Sequence, residues 1–318
     1  IALLSLGSGV IAWLALRDVA GTQATVSERA LPAAASAQDL AEASALLLAN
    51  GPRLAAAADE AERRLRRATL DEQAIQLARA LATLETLSFA PQTVALLKDA
   101  VDSMLANLEQ QDRLVARRLA VERQFREGGA GALAAATAIV DLSETLVSNA
   151  ASTLNAVIAN LYALVEETSE LELVYEALDR LVEGDVYLLE RMFELRLRAS
   201  QMGLLLNQLG RAASLDEVAA VELGYRGHLR VLIRRIASIA DPVRRTQAEE
   251  QLALLTAAAG RDHEASGKSE GIFAERRLLL SIEQELQALD QSNRVLAARI
   301  EQQIDGLTAE VRGYAAAA

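Results

Sequence analysis

The feature that most restricts this chain is how little there is to stop a helix. Its 318 residues include only 17 glycines and 4 prolines, far below ordinary usage, and few turns imply long elements. Between them stand strong helix formers (Ala, Leu, Glu, Gln and Arg), which lose little side-chain freedom on a helix. The chain is 52% hydrophobic yet only 3% aromatic, so its apolar content is chiefly Ala, Leu and Val. No long stretch alternates apolar and polar residues with a β-branched bias, so nothing argues for a sheet. An all-α fold is expected.

The net charge of −12 argues against nucleic acid, which needs a basic footprint to displace its counterions. Cysteine is absent, which excludes thiol catalysis, thiolate-bound zinc and disulfides. Imidazole comes only from His228 and His263. Neither has neighbours at metal-ligand spacing, and both read as isolated surface or capping histidines. No glycine-rich phosphate loop and no Ser-His-Asp set can be assigned. No catalytic residue, metal site or cofactor is expected.

Ile1–Leu16 (IALLSLGSGVIAWLAL) carries no charge, and a bilayer core takes about 20 apolar residues as helix. The chain opens on Ile rather than Met, so this run reads as a transmembrane helix whose beginning is cut away. Trp13, then Arg17 and Asp18, fit the point where an aromatic anchor and the first charges emerge into water. The alternatives are a signal-peptide core, which lacks a basic leader and a cleavage site directly after Leu16, and a buried core helix.

The breaks mark the helices. Leu31-Pro32 interrupts the first, where proline removes a backbone donor. Pro32 is a signalling candidate, since a kink there would let the tether helix bend or slide; a plain helix boundary is the alternative. Asn50-Gly51-Pro52 reads as a stop, with Gly as the left-handed cap and Pro in the next first turn. Thr69–Glu72, Ser169–Glu172 and Ser214–Glu217 each read as capping boxes. Pro91 and Asp241-Pro242 open two more helices. Gly128-Gly129 with Gly131 is expected to close the helix from about Gln92, and Arg261–Gly271 (RDHEASGKSEG) is the clearest loop.

Inside the helices the apolar period is that of bundles. Leu188, Met192, Leu195, Ala199, Met202, Leu206 and Leu209 recur at steps of four and three, as do Leu279, Ile282, Leu286, Leu289, Asn293, Leu296 and Ile300. A 4-3 repeat keeps one seam against neighbouring helices. From Ile300 the seam takes a four-residue step to Ile304, which locally changes supercoiling; both are packing candidates. Asn293 in the seam either fixes register in a dimer or bonds within one bundle. From Ile272 to Gly313 this last helix would be roughly 60 Å long at about 1.5 Å per residue, which suits a rod standing away from a membrane.

Thr145–Val165 is uncharged and of spanning length, but Thr145, Ser148, Asn149, Ser152, Thr153, Asn155 and Asn160 are costly facing lipid. Inside a bundle they can pair across helices, so a buried helix is expected. Asn149, Asn155 and Asn160 are candidates for a ligand-sensitive core; a small-residue packing seam is the plainer reading. Arg226, Arg230 and Arg234 fall at i, i+4 and i+8. They would either receive a carboxylate ligand or acidic partner, or form a solvated salt-bridged stripe.

These residues carry a resemblance. The apolar N-terminal run, Ala30-Leu31-Pro32 just beyond it, Glu190–Arg198 (ERMFELRLR), Gly271–Arg277 (GIFAERR) and Leu296–Arg312 (LAARIEQQIDGLTAEVR) together resemble the periplasmic sensor region of TorS-like (trimethylamine N-oxide type) hybrid sensor histidine kinases. The resemblance covers most of the chain. It implies an elongated antiparallel helical bundle, as two stacked four-helix bundles per protomer, and a homodimer. It also implies a periplasmic solute-binding protein that carries the small molecule as partner. The division implied is 1–16 as the truncated transmembrane helix, 17–313 as a periplasmic sensor domain, and 314–318 as the start of a link to a second span. Location would be the bacterial inner membrane, with the domain in the periplasm, and no enzyme activity belongs to this region itself. Two other readings stand beside it: the helical bimodular ligand-binding domain of a chemoreceptor that binds a small organic acid directly, and a structural or pore-forming helical membrane protein.

Overall fold

A computed structural model describes residues 26–87, 90–167, 171–260 and 270–317, and among them there is helix and no strand. Ile1–Leu16, the Ser169 end of one expected capping box, His263 and most of the Arg261–Gly271 loop lie outside the described residues. A π-helical turn, Val26–Ala30, leads into α1 (Leu31–Ala55). There follow α2 (Glu60–Leu87), α3 (Pro91–Glu167), α4 (Leu171–Arg180), a second π-helical turn (Leu181–Val186), α5 (Tyr187–Arg211), α6 (Leu215–Ala237), α7 (Pro242–Ala259) and α8 (Ile272–Ala317).

The chain divides into two compact units, one of residues 1–119 with 282–318, the other of 120–281. The first holds α1, α2, the opening part of α3 and most of α8. Its core is an aliphatic stack of Leu40, Leu47, Leu77, Leu84, Leu97, Met104, Ile300 and Leu307. The second surrounds Ile139, Met192, Leu195, Met202, Tyr225, Leu232 and Phe273. Both seams read from the sequence are buried as their spacing requires: from Met192 to Leu209 on α5, with Leu188 half-buried, and from Leu279 through Ile300, Ile304 and Leu307 to Val311 on α8.

Caps explain where several helices begin. Ser214 Oγ accepts from the Glu217 amide at 3.2 Å and Glu217 Oε2 accepts from the Ala213 amide at 2.7 Å, a reciprocal cap. Asp241 Oδ1 accepts from the Val243 and Arg244 amides, and Pro242, needing no donor, fits the first turn. Glycines end and start the connection after α7, Gly260 at φ 73° and Gly271 at φ 99°.

Three expectations about breaks are corrected. Asn50-Gly51-Pro52 does not stop α1, which runs on to Ala55. The neighbouring α3 supplies donors to the end of α1: Gln111 Nε2 donates to the Gly51 carbonyl at 2.8 Å, and Arg118 donates to the carbonyls of Ala55 and Ala57. Thr69 is no cap; it lies inside α2 with its hydroxyl donating back to the Leu65 carbonyl. The box sits earlier, where Asp59 Oδ1 accepts from the Glu62 amide and Glu62 Oε2 from the Ala58 amide. Gly128, Gly129 and Gly131 do not close α3 either. Mid-helix glycine costs about 1 kcal/mol, but a Cβ at Gly128 would stand 3.0 Å from Ile272 Cγ2, so its absence lets α3 and the start of α8 approach closely.

Candidate functional site

The arginine stripe on α6 does not form one receptor. Arg226 is half-buried and committed to Glu222 Oε1 at 2.8 Å, while Glu222 Oε2 takes Arg277 of α8 at 2.6 Å. Arg230 and Arg234 are exposed. Burial would raise the Glu222 carboxyl, but hydrogen bonds from Arg277 and Arg226 outweigh it and hold the group below its ordinary value. Glu194 on α5 repeats the arrangement, with Arg198 and Arg235 overcoming its desolvation. These clusters tie α5, α6 and α8 by charge at the rim of the core. At its centre the buried Tyr225 hydroxyl donates to the Leu255 carbonyl at 2.9 Å, and its ring meets Phe273 edge-on at 5.3 Å.

The expected burial of Thr145–Val165 is corrected. Thr145, Ser148, Asn149, Ser152, Thr153, Asn155 and Asn160 are all exposed. Their polarity is reconciled with helix by water and by local bonds: the Thr145, Ser152 and Thr153 hydroxyls each donate to the carbonyl four residues earlier. Asn149, turned so that its oxygen faces α7, accepts from Arg244 at 2.9 and 3.2 Å. Asn149, Asn155 and Asn160 therefore lie on the surface of α3 and not in its core. By length and composition α3 contains a membrane-span candidate, Pro91–Ala163.

The remaining candidates sit in the first unit. Asn293, 5% exposed, accepts from Asn107 Nδ2 at 2.9 Å, and the same nitrogen donates to Ser292 Oγ at 3.0 Å. Its partner is thus within its own bundle. Pro32 lies at the beginning of α1, directly after the π-helical turn. A residue without an amide donor fits the place where helical hydrogen bonding changes register. Ile300 and Ile304 are buried on either side of the four-residue step in α8.

One site was missed. At the far end of the α3–α5 hairpin, Ile158, Leu161, Tyr162, Val165, Leu178 and Leu181 line an apolar cavity of about 320 Å³. In its lining Tyr162 is 71% exposed; in the same stretch of chain Tyr175 is 65% exposed and Tyr187 lies under the guanidinium of Arg191 at 4.4 Å. Glu166, Glu172, Glu176, Asp179 and Glu190 are exposed in the same stretch of chain. Exposed apolar groups gathered in one patch mark an interaction surface. The sequence held a signal, since three of its five tyrosines, Tyr162, Tyr175 and Tyr187, fall in this short segment of an aromatic-poor chain.

Long helices and buried 4-3 seams define a helical-bundle module. A family model described as "Sensor protein TorS, sensor domain" matches residues 31–317, and the chain belongs to that family. It is 28% identical over 246 residues to Sensor protein TorS of Escherichia coli (strain K12), an alignment covering 77% of this chain and 26% of that protein. The chain thus spans about a quarter of that relative's length. Among solved structures, it resembles a TorS sensor domain–TorT complex determined in the presence of TMAO, with a TM-score of 0.77 and 23% identity, covering 88% of this chain and 99% of that one. The sensor domain of the V. parahaemolyticus histidine kinase sensor TorS follows at a TM-score of 0.67 and 18% identity, covering 87% and 99%. Both likenesses concern the fold.

Proposed function

We propose that this chain is the periplasmic sensor region of a two-component histidine kinase, tethered as a homodimer in a bacterial inner membrane. It detects its small molecule through a periplasmic solute-binding protein. The observation that carries the partner reading is the tip of the α3–α5 hairpin: an apolar cavity with exposed Tyr162 in its lining, in a segment that also exposes Tyr175 and five carboxylates. A protein surface with an apolar centre and a basic rim complements it, whereas an anionic membrane or a second acidic tip is repelled. The TorS sensor domain–TorT complex supports a partner of that kind. The rearrangement would leave along α8, whose seam is buried from Leu279 to Val311 and breaks step between Ile300 and Ile304. Pro32, at the π-to-α junction, would set the bend of the entering tether.

Calorimetric titration of the chain with a TorT-like solute-binding protein, with and without TMAO, tests this reading. Binding by the protein is expected, with TMAO alone giving no heat. Tyr162→Ala with Tyr175→Ala should weaken it by 2 kcal/mol or more, roughly the scale of interface hot spots. Tight, direct binding of TMAO or an organic acid without any protein would instead favour the chemoreceptor reading. In the membrane-bound receptor, Pro32→Ala should alter basal output with folding intact.

A further inference from the structure

In the first unit α1 and α2 line another cavity, of about 350 Å³, a volume that suits a small molecule. Ser36, Ala43 and Ala80 form its buried floor, and its exposed walls are Asp39 and Glu42 from α1 with Gln76 and Arg79 from α2. The charges of these walls are uncommitted. Of the five arginines on α2, Arg63 and Arg64 hold Glu60, Arg66 holds Glu62 and Arg67 holds Asp71. Arg79 has no acid at helical spacing, since Ile75, Gln76, Ala82 and Thr83 stand three and four residues away. Among the described residues it pairs with no carboxylate elsewhere, although two line the same cavity. Asp39 and Glu42 are a like-charge pair three residues apart, with no base on α1 before Arg53. Neither makes an ion pair among the described residues. The floor adds an unmet hydroxyl. Ser36 is 8% exposed and finds no partner among the described residues, whereas Ser44 of the same helix donates back to the Ala41 carbonyl at 2.9 Å. A buried hydroxyl left unpaired is costly, and a polar ligand atom in the cavity would remove that cost.

We infer that this cavity binds a small zwitterion, a neutral α-amino acid, with its ammonium held by Asp39 and Glu42 and its carboxylate by Arg79. A guanidinium presents paired N–H donors that match a carboxylate, and an ammonium has three donors to share between two acids. The Ser36 hydroxyl donates or accepts as the ligand requires, and Gln76 adds an amide beside Arg79. The amino-acid side chain rests on Ala43, Ala80 and Leu46, which complete the lining. Charge selects the class. Two carboxylates repel a simple organic anion, and a plain amine leaves Arg79 unused, so a molecule carrying both charges satisfies the most groups. The inference goes beyond the sensing reading above and does not rest on it, because the cavity belongs to the first unit and the hairpin tip to the second.

Calorimetric titration of the full chain with L-leucine and with its two halves, isocaproate and isoamylamine, tests this. L-leucine should bind saturably and each half about 10-fold more weakly, the lower end of what a hydrogen bond to a charged group contributes. Arg79→Gln should weaken L-leucine about 10-fold and leave isoamylamine unchanged, since only the carboxylate loses its partner. Asp39→Asn with Glu42→Gln should weaken L-leucine and isoamylamine alike. These side chains are exposed, so melting followed by circular dichroism should be unchanged in both variants. No saturable heat with L-leucine overturns the inference, and so does L-leucine binding that Arg79→Gln leaves untouched. Isoamylamine binding as tightly as L-leucine makes this a cation site and overturns it as well. Isocaproate binding as tightly as L-leucine overturns it too, and favours the chemoreceptor reading.

Discussion

Replacing Asn293 by alanine should destabilise the first unit whatever the oligomeric state, because its partner is Asn107 on α3. The bond is 2.9 Å long, with the Asn293 side chain buried and Asn107 half-buried. A net hydrogen bond is worth about 1 kcal/mol, and a buried polar group left without its partner costs about 1–3 kcal/mol. Asn107 keeps its bond to Ser292, so Asn293→Ala should sit near the lower end, about 1–2 kcal/mol. For a unit of this size that is a fall of roughly 2–4 °C in Tm per kcal/mol. Asn107→Ala should cost about as much. The double variant should lose about 1 kcal/mol less than the sum of the singles, the signature of direct coupling. Urea unfolding of the four chains, each at two protein concentrations, reads this out. Additive costs, or a coupling present only at the higher concentration, would refute the intrachain bond and return Asn293 to a role in dimer register.

Four further outcomes are expected. Tyr225→Phe, which removes only the hydroxyl on the Leu255 carbonyl, should cost about 1–2 kcal/mol by the same unfolding measurement, and Tyr225→Ala about 3–5 kcal/mol. Burial and, secondarily, the Arg198 charge depress His228 below its ordinary value of 6.5. The unfolded chain then takes up the proton first, so this stability is complete above about pH 6.5 and declines as pH falls below it; His228→Gln should flatten that slope in pH-dependent melting. Asp241→Ala, which frees the Val243 and Arg244 amides, should lower stability by about 1 kcal/mol without changing helix content in circular dichroism. Single cysteines across Ala309–Gly313 should crosslink with helical periodicity in the membrane-embedded dimer and respond to stimulus; uniformly absent crosslinking in a responsive receptor would remove the ends of α8 from the dimer axis.

Local chemistry and spacing were enough for much of this molecule. The low count of glycine and proline led to helix. The 4-3 series on α5 and α8 named their buried faces residue by residue, and Ser214, Asp241 and Pro91 marked true helix starts, because a cap or a period is satisfied within a few residues. Where a neighbouring helix intervened, sequence reasoning failed. Gly51-Pro52 looks like a stop until Gln111 of α3 reaches the Gly51 carbonyl and Arg118 those of Ala55 and Ala57, and Gly128 looks like an end until Ile272 fills the space its missing side chain leaves. The hydroxyls and amides of Thr145–Val165 suggested a buried polar seam because their cost was weighed against lipid, while the tertiary fold leaves them in water. Asn293 could serve a dimer or a bundle equally well by spacing, and only the position of Asn107, far away in the chain, chose between them. Periodicity shows that a helix has an apolar face; which helix covers that face, and which apolar groups at the α3–α5 tip stay exposed, depends on contacts between residues distant in sequence.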